Sequence, residues 1–203
     1  MSKNLLLVFT RNPELGKVKT RLAKTIGDQK ALDIYKLLLH YTKKTIQNIN
    51  CDKAVYYSDA IQENDIWENS IFLKKLQNGK NLGYRMYNAF KNAFHKDYKK
   101  VVIIGTDIFE LKSKQINEAF KALDKHEVVI GPAKDGGYYL LGLKKLHPEI
   151  FKNKKWGTET IFQETMQGLN NVDVHLLVEL NDIDTYDDLK QHQELLKHIQ
   201  LND

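Results

Sequence analysis

One cysteine, Cys51, stands in a chain of 203 residues, so no intramolecular disulfide can form. A chain of that length can bury a sizeable apolar core without disulfides or a structural metal. No apolar run approaches the ~20 residues of a membrane-spanning helix. The run Leu5–Phe9 is too short for a secretory h-region and leads straight to Arg11 rather than to a small-residue cleavage site. A cytoplasmic location is therefore expected. The seven histidines form no HExxH-like metal motif, and Cys51 has no His or Asn partner in a nucleophile motif. There is no internal repeat, low-complexity tract or linker, and residues 1–203 are expected to form one domain. The formal net charge is +5, but the lysines are spread in pairs along the chain. No RNP-like aromatic motif, zinc-finger spacing or helix-turn-helix pattern accompanies them, which argues against a specific nucleic-acid partner.

What is present is a regular alternation. Short apolar runs suited to buried strands occur at Leu5–Phe9, Ala54–Tyr57, Ile71–Leu73, Val101–Ile104, Val128–Ile130, Tyr138–Leu143 and Val174–Val178. Helical spacing links Leu32, Tyr35, Leu39, Ile46 and Ile49, and again Leu82, Met86, Ala89, Phe90 and Ala93 behind the N-cap candidate Asn81. Ile116, Ala119, Phe120 and Leu123 repeat it after Ser113, and a helix-like stretch runs near Trp156–Met166. Thr185-Tyr-Asp-Asp188 is a capping-box start for a final helix, with Asp187 and Asp188 complementing its dipole. Strands alternating with helices predict an α/β layered fold with a mainly parallel sheet. The close spacing of the runs around Asp135-Gly136 adds an antiparallel insertion, making the sheet mixed.

Four cations follow the first strand: Arg11, Lys17, Lys19 and Arg21. In open α/β sheets, ligands bind beyond the C-terminal ends of the strands. No acidic residue after Glu14 neutralises this loop locally, so it suits a phosphorylated ligand. It is not a P-loop, because Val18 rather than Ser or Thr follows Lys17. Asp107 ends the strand Val101–Ile104 at the same sheet edge, where a carboxylate serves either as a turn residue or as a ligand for a hard divalent cation. Asp182 and Asp184, alternating in an extended segment, would point the same way and could meet Asp107 across a metal. Asp135-Gly136-Gly137 is a turn whose backbone could approach a ligand closely. Arg85 stands at a helix start, where it could add a contact to an anion. Trp156 offers a ring either to a base or sugar or to the core.

The segments FTRNPELGKVKTRLA, QNGKNLGYRM, VVIIGTD, GPAKDGGYYLLGL, WGTETIF and DIDTYDDL together resemble the DUF2064 family, in this order and across residues 5 to about 190. That family is glycosyltransferase-like and related to the phospholactate guanylyltransferase CofC. The resemblance implies a Rossmann-like GT-A fold, a three-layer α/β/α sandwich with a mixed, mainly parallel central sheet. It implies a nucleotide or nucleotide-sugar bound by Lys17, Lys19 and Arg21, with a small-molecule acceptor, and Arg11 and Arg85 join these as phosphate-binding candidates from their own places in the sequence. Mg²⁺ or Mn²⁺ would be held by Asp107, Asp182 and Asp184, with Lys19, Arg21 and Asp107 in the catalytic role. Asp135, Gly136, Gly137 and Trp156 would contact substrate. The expected activity is glycosyl transfer from a nucleotide-sugar. The alternatives are nucleotidyl transfer with pyrophosphate release and nucleotide binding without turnover. The family commonly has Cys-Pro after the metal aspartate, whereas Ile108-Phe109 stand here.

Overall fold

Leu5, Leu6, Leu7 and Val8 are all buried, although neighbouring residues in a strand face opposite ways. Their strand is covered on both sides. The computed structural model describes residues 3–200. Its strands are β1 (Asn4–Thr10), β2 (Asp52–Tyr57), β3 (Phe72–Leu76), β4 (Lys100–Ile104), β5 (Val128–Pro132), β6 (Tyr138–Leu143) and β7 (Val174–Leu176). They form one sheet in the order β3-β2-β1-β4-β6-β5-β7. β6 runs antiparallel to β4 and β5, while the other pairings are parallel. The sheet is thus mixed and mainly parallel, as the strand spacing predicts.

The helices are α1 (Thr20–Ile26), α2 (Asp28–Ile46), α3 (Leu82–Phe94), α4 (Ser113–Ala122), α5 (Ile161–Gly168), α6 (Tyr186–Lys190) and α7 (Gln193–Gln200). On one face of the sheet, Leu6, Val8, Val102 and Ile104 pack with Tyr35 and Leu39 of α2 and Ile116 and Phe120 of α4. On the other, Leu5, Leu7, Val101 and Ile103 pack with Met86, Ala89 and Phe90 of α3, and Phe162 and Met166 of α5 adjoin them. Each apolar run therefore splits alternately between two cores, which is why the strands read as unbroken hydrophobic stretches. A third cluster lies behind α2, where Ile34 and Leu38 meet Leu22, Ile183, Leu189 and Leu195.

Three elements depart from the pattern read in the sequence. Thr20 and Arg21, read there within the cation loop, open the helix α1, whose buried residue is Leu22. The expected final helix is divided: α6 ends at Lys190, and α7 starts afresh at Gln193. β7 stops at Leu176, although the backbone stays near β5 through Leu177 N–H donating to Ile130 O and Leu180 N–H to Pro132 O. The Asn81 cap is as read, its side chain accepting from Tyr84 N–H at 3.0 Å.

β1 is the point where chain order reverses, since β2 follows it on one side and β4 lies on the other. A crevice opens beyond the carboxyl ends of strands at such a point.

Candidate active site

Two connected hollows occupy that crevice. The larger, about 840 Å³, is a polar cleft walled by Arg11, Lys17, Lys19, Arg21 and Arg85 and by Asp59, Asp107, Asp182 and Asp184. The smaller, about 270 Å³, is walled by Met86, Ile103, Tyr138, Leu141, Trp156 and Ile161, with Asp107, Asp135 and Asp182 at its polar end. Phe9, Leu82, Gly105, Asp107 and Asp182 border both.

The basic segment is fixed by groups that the sequence does not advertise. Tyr35 Oη donates to Arg11 O at 3.1 Å and accepts from Arg11 N–H at 2.9 Å, while also lying within 3.2 Å of Thr10 Oγ1. Asn12 Nδ2 donates to Ala60 O at 2.8 Å, and its Oδ1 accepts from Asp59 N–H and Ala60 N–H. Gln77 Nε2 donates to Thr10 O and Tyr56 O. The phenol of Tyr35 projects from what reads as an ordinary apolar stripe, so periodicity hides its role.

Lys19 precedes α1 in the left-handed conformation, φ 47°, which is uncommon for a residue with a side chain. Its side chain is buried, and Nζ donates to Asp107 Oδ2 at 3.1 Å and to Asp184 Oδ1 at 3.3 Å. Burial alone would push the Lys19 ammonium down, but the Asp107 and Asp184 carboxylates outweigh it and hold it above its ordinary value. Burial likewise opposes ionisation of Asp107, and the Lys19 charge reverses that, leaving the carboxyl below its usual range. Arg21, on α1, bonds the other oxygen of Asp184. Lys17 pairs with Glu14 at 2.5 Å on the exposed rim. The loop that reads as un-neutralised is therefore paired at three of its four cations, mostly by carboxylates far along the chain. The Arg11 guanidinium has no hydrogen-bonded carboxylate among the described residues.

Asp107 is brought to Asp182 and Asp184 by the backbone: Ile183 N–H donates to Asp107 O at 3.1 Å. The Asp184–Thr185 segment is held in turn by Asp188, which accepts from Asp184 N–H, Thr185 N–H and Thr185 Oγ1. Asp182 differs from its neighbours, because no cation bonds it. Burial, with the charges of Asp107 and Asp135 nearby, pushes its carboxyl up to about 7. Among the described residues no three His, Cys, Asp or Glu side chains form a group that could hold a metal ion. The three aspartates read together in the sequence thus divide: Asp184 belongs to Lys19 and Arg21, while Asp107 and Asp182 share the border of the two hollows. Two carboxylates fit what Mg²⁺ commonly takes from protein, the rest coming from water and phosphate oxygens. The unpaired, proton-retaining Asp182 is the observation that suits a cation there.

Of the remaining candidates, Asp135, Gly137 and Trp156 line the smaller hollow. Asp135 accepts from Gly137 N–H at 2.8 Å, closing the β5–β6 turn. Gly136 has φ +84°, and a Cβ there would lie 2.0 Å from Glu159 O. Only glycine serves at that point, where Gly136 O also accepts from Phe162 N–H. Trp156 packs edge-on to Tyr138 and over Gly83, whose added Cβ would lie 2.2 Å from Trp156 Nε1. Arg85 donates to Gly79 O and Gln77 Oε1, so it walls the cleft while bracing the loop before α3. Ile108 and Phe109 fill the turn after Asp107: Ile108 is core, and the Phe109 ring lies 4.5 Å from that of Tyr41.

The seven-stranded mixed, mainly parallel sheet with its reversal point is an α/β fold that matches nucleotide-diphospho-sugar transferase structures. The chain belongs to the DUF2064 family, "Uncharacterized protein conserved in bacteria", whose profile matches residues 41–158. It is similar to a crystal structure from Desulfovibrio desulfuricans G20 described as a nucleotide-diphospho-sugar transferase, at 28% identity and TM-score 0.86 over 98% of this chain and 99% of that one. It is 29% identical over 131 residues to the 2-phospho-L-lactate guanylyltransferase of Methanocaldococcus jannaschii, a match covering 64% of this chain and 56% of that protein. The chain thus spans little more than half the length of this curated relative. A structure of Rv0371c from Mycobacterium tuberculosis H37Rv in complex with manganese shares the fold at TM-score 0.54 and 8% identity, over 96% of this chain and 99% of that one. No helix among the described residues is long and apolar enough to cross a membrane.

Proposed function

We propose that this protein is a metal-dependent nucleotidyltransferase, which binds a nucleoside triphosphate in the polar cleft and joins its nucleotidyl group to a small acceptor. The observation that carries this reading is the Lys19 ammonium, held between Asp107 and Asp184 inside a wall that also holds Arg11, Lys17, Arg21 and Arg85. A triphosphate presents several negative charges in a row, and a cleft of about 840 Å³ has room for a nucleotide. Lys19, fixed from below by two carboxylates, is positioned before ligand arrives, and preorganised charge stabilises a developing anion without reorganisation. Arg11, which like Arg85 has no hydrogen-bonded carboxylate among the described residues, is available to the phosphates, and Arg21 can exchange Asp184 for a phosphate oxygen in a bidentate contact. Phosphoryl chemistry of this kind needs positioning and charge rather than a covalent nucleophile.

Asp107 and Asp182 would hold Mg²⁺ or Mn²⁺, and such an ion supplies charge neutralisation at the phosphate oxygens. Asp135, Gly136, Gly137 and Trp156 would contact the acceptor. The name of the Methanocaldococcus relative supports nucleotidyl transfer and a guanine nucleotide as the first to test. Glycosyl transfer is the second reading, favoured by the likeness to the D. desulfuricans protein. The products separate them: an acceptor attacking the α-phosphorus releases pyrophosphate, whereas attack at an anomeric carbon releases a nucleoside diphosphate. Titration calorimetry with each of the four ribonucleoside triphosphates, with and without Mg²⁺, tests the shared premise. Magnesium-dependent binding weakened at least tenfold by Asp107→Asn is expected. Binding indifferent to both would overturn the assignment.

A further inference from the structure

The two hollows differ in charge as well as size. Every Lys and Arg assigned to the site walls the polar cleft; none of the residues lining the smaller chamber is Lys, Arg or His. Its walls are aliphatic and aromatic, from Phe9 and Met86 to Trp156 and Ile161, and besides the phenols of Tyr138 and Tyr139 its ionisable groups are the carboxyls of Asp107, Asp135 and Asp182. A carboxylate or phosphate lying beyond the Asp107–Asp182 border would lose its hydration, meet no lining Lys, Arg or His and face the Asp135 carboxylate. Burying an unpaired charge is among the costliest things a binding site can do. The same surroundings are favourable to a hydrocarbon or aromatic body, and a hydroxyl on it can donate to a carboxylate oxygen. Asp135 uses only Oδ1 on Gly137 N–H, which leaves Oδ2 for such a donor.

We propose that the chamber selects an acceptor whose body is uncharged and largely apolar, bearing hydroxyl rather than carboxylate groups. This rests on reading the polar cleft as the nucleotide site. It makes the chamber the specificity-determining half: the reacting oxygen meets the nucleotide at the Asp107–Asp182 border, and everything beyond that border must be free of negative charge.

The test compares benzyl alcohol with glycolate, each presenting a hydroxyl, one on an apolar body and one beside a carboxylate. The chain has two tryptophans, Trp67 and Trp156, so Trp67→Phe leaves Trp156 on the chamber wall as the sole indole reporter. Saturable quenching by millimolar benzyl alcohol is expected, with at least tenfold weaker response to glycolate, and Ala133→Leu, which narrows the chamber, should abolish the quenching. Equal or stronger response to glycolate, or no saturable response to benzyl alcohol, overturns the proposal. Should Trp67→Phe not fold, the shift in melting temperature of the unsubstituted chain with the two probes gives the same comparison. Nucleotide binding is followed separately by calorimetry. Absence of nucleotide binding with benzyl alcohol still preferred defeats the cleft assignment alone, while nucleotide binding with glycolate preferred defeats the chamber assignment alone.

Discussion

The Lys19 ammonium donates to the Asp107 carboxylate at 3.1 Å, joining residues 88 positions apart, and the same nitrogen reaches Asp184, 165 positions away. Removing Lys19 leaves Asp107 without its cation, and removing Asp107 leaves the buried ammonium with Asp184 alone. Asp107→Ala is expected to destabilise the fold by about 2 kcal/mol, between an exposed pair and a fully buried one. Lys19→Gly should cost less than Lys19→Ala, because glycine accepts the positive φ without strain. Urea unfolding of the three variants checks both statements, and all three are expected to weaken magnesium–nucleotide binding.

Asp182 sets a pH dependence. Its carboxyl is pushed up to about 7 in the folded chain, from an ordinary value of 3.8, so the folded state binds this proton more tightly than the unfolded state does. The contribution to stability is full below pH ~4 and declines as pH rises through about 7. In EDTA, melting temperatures recorded from pH 4 to 8 should fall across this window more steeply for the unsubstituted chain than for Asp182→Asn. The variant should be the more stable of the two at pH 8. A profile unchanged by the substitution would show that Asp182 ionises normally.

Thr185 caps α6 and shares Asp188 with the backbone of Asp184. Thr185→Ala removes the hydroxyl that accepts from Asp188 N–H and donates to Asp188 Oδ2, and should lower stability by about 1 kcal/mol. Because the same cap fixes Asp184 beneath Lys19, nucleotide affinity should fall as well. Calorimetry on this variant, which touches neither cleft nor chamber directly, measures how much of the site's charge depends on that short helix.

Gly83→Ala tests the chamber wall. Alanine ordinarily gains about 1 kcal/mol over glycine in a helix. Here its Cβ would fall 2.2 Å from Trp156 Nε1 and 2.5 Å from Phe151 O. The substitution should therefore destabilise, and Trp156 emission should shift to longer wavelength as the ring is displaced toward water.

Cys51 should be chemically quiet. Burial pushes its thiol up to about 11, against an ordinary value of 9.0, so little thiolate exists at pH 8. Iodoacetamide should modify the native chain slowly and the urea-unfolded chain much faster, as mass spectrometry over a time course would record.

Local signals in the sequence account for most of the scaffold. Each strand of the sheet coincides with an apolar run, Asn81 and Thr185 cap the helices they precede, and Asp135-Gly136 makes the hairpin turn. α1 escaped because its seven residues contain one buried apolar side chain, too few for a periodic stripe. The break between α6 and α7 escaped because no Gly or Pro marks it. The candidate residues converge on one crevice, but their pairing was illegible. Nothing near Lys19 in sequence announces that Asp107 and Asp184 will sit on either side of it, and nothing in the α2 stripe singles out the Tyr35 hydroxyl.

The bridge from Lys19 to Asp184 also bears on synthesis. A ribosome-bound chain that has produced β1 to α4 already contains Lys19 and Asp107, yet the second carboxylate arrives only with the segment after β7. Until then Lys19 has Asp107 alone and Arg21 lacks its Asp184 partner, and neither α6 nor its cap is present to shape the acidic side. Ligand can reward only a chain translated past residue 188, so nucleotide should protect the finished polypeptide from proteolysis while leaving shorter nascent intermediates untouched.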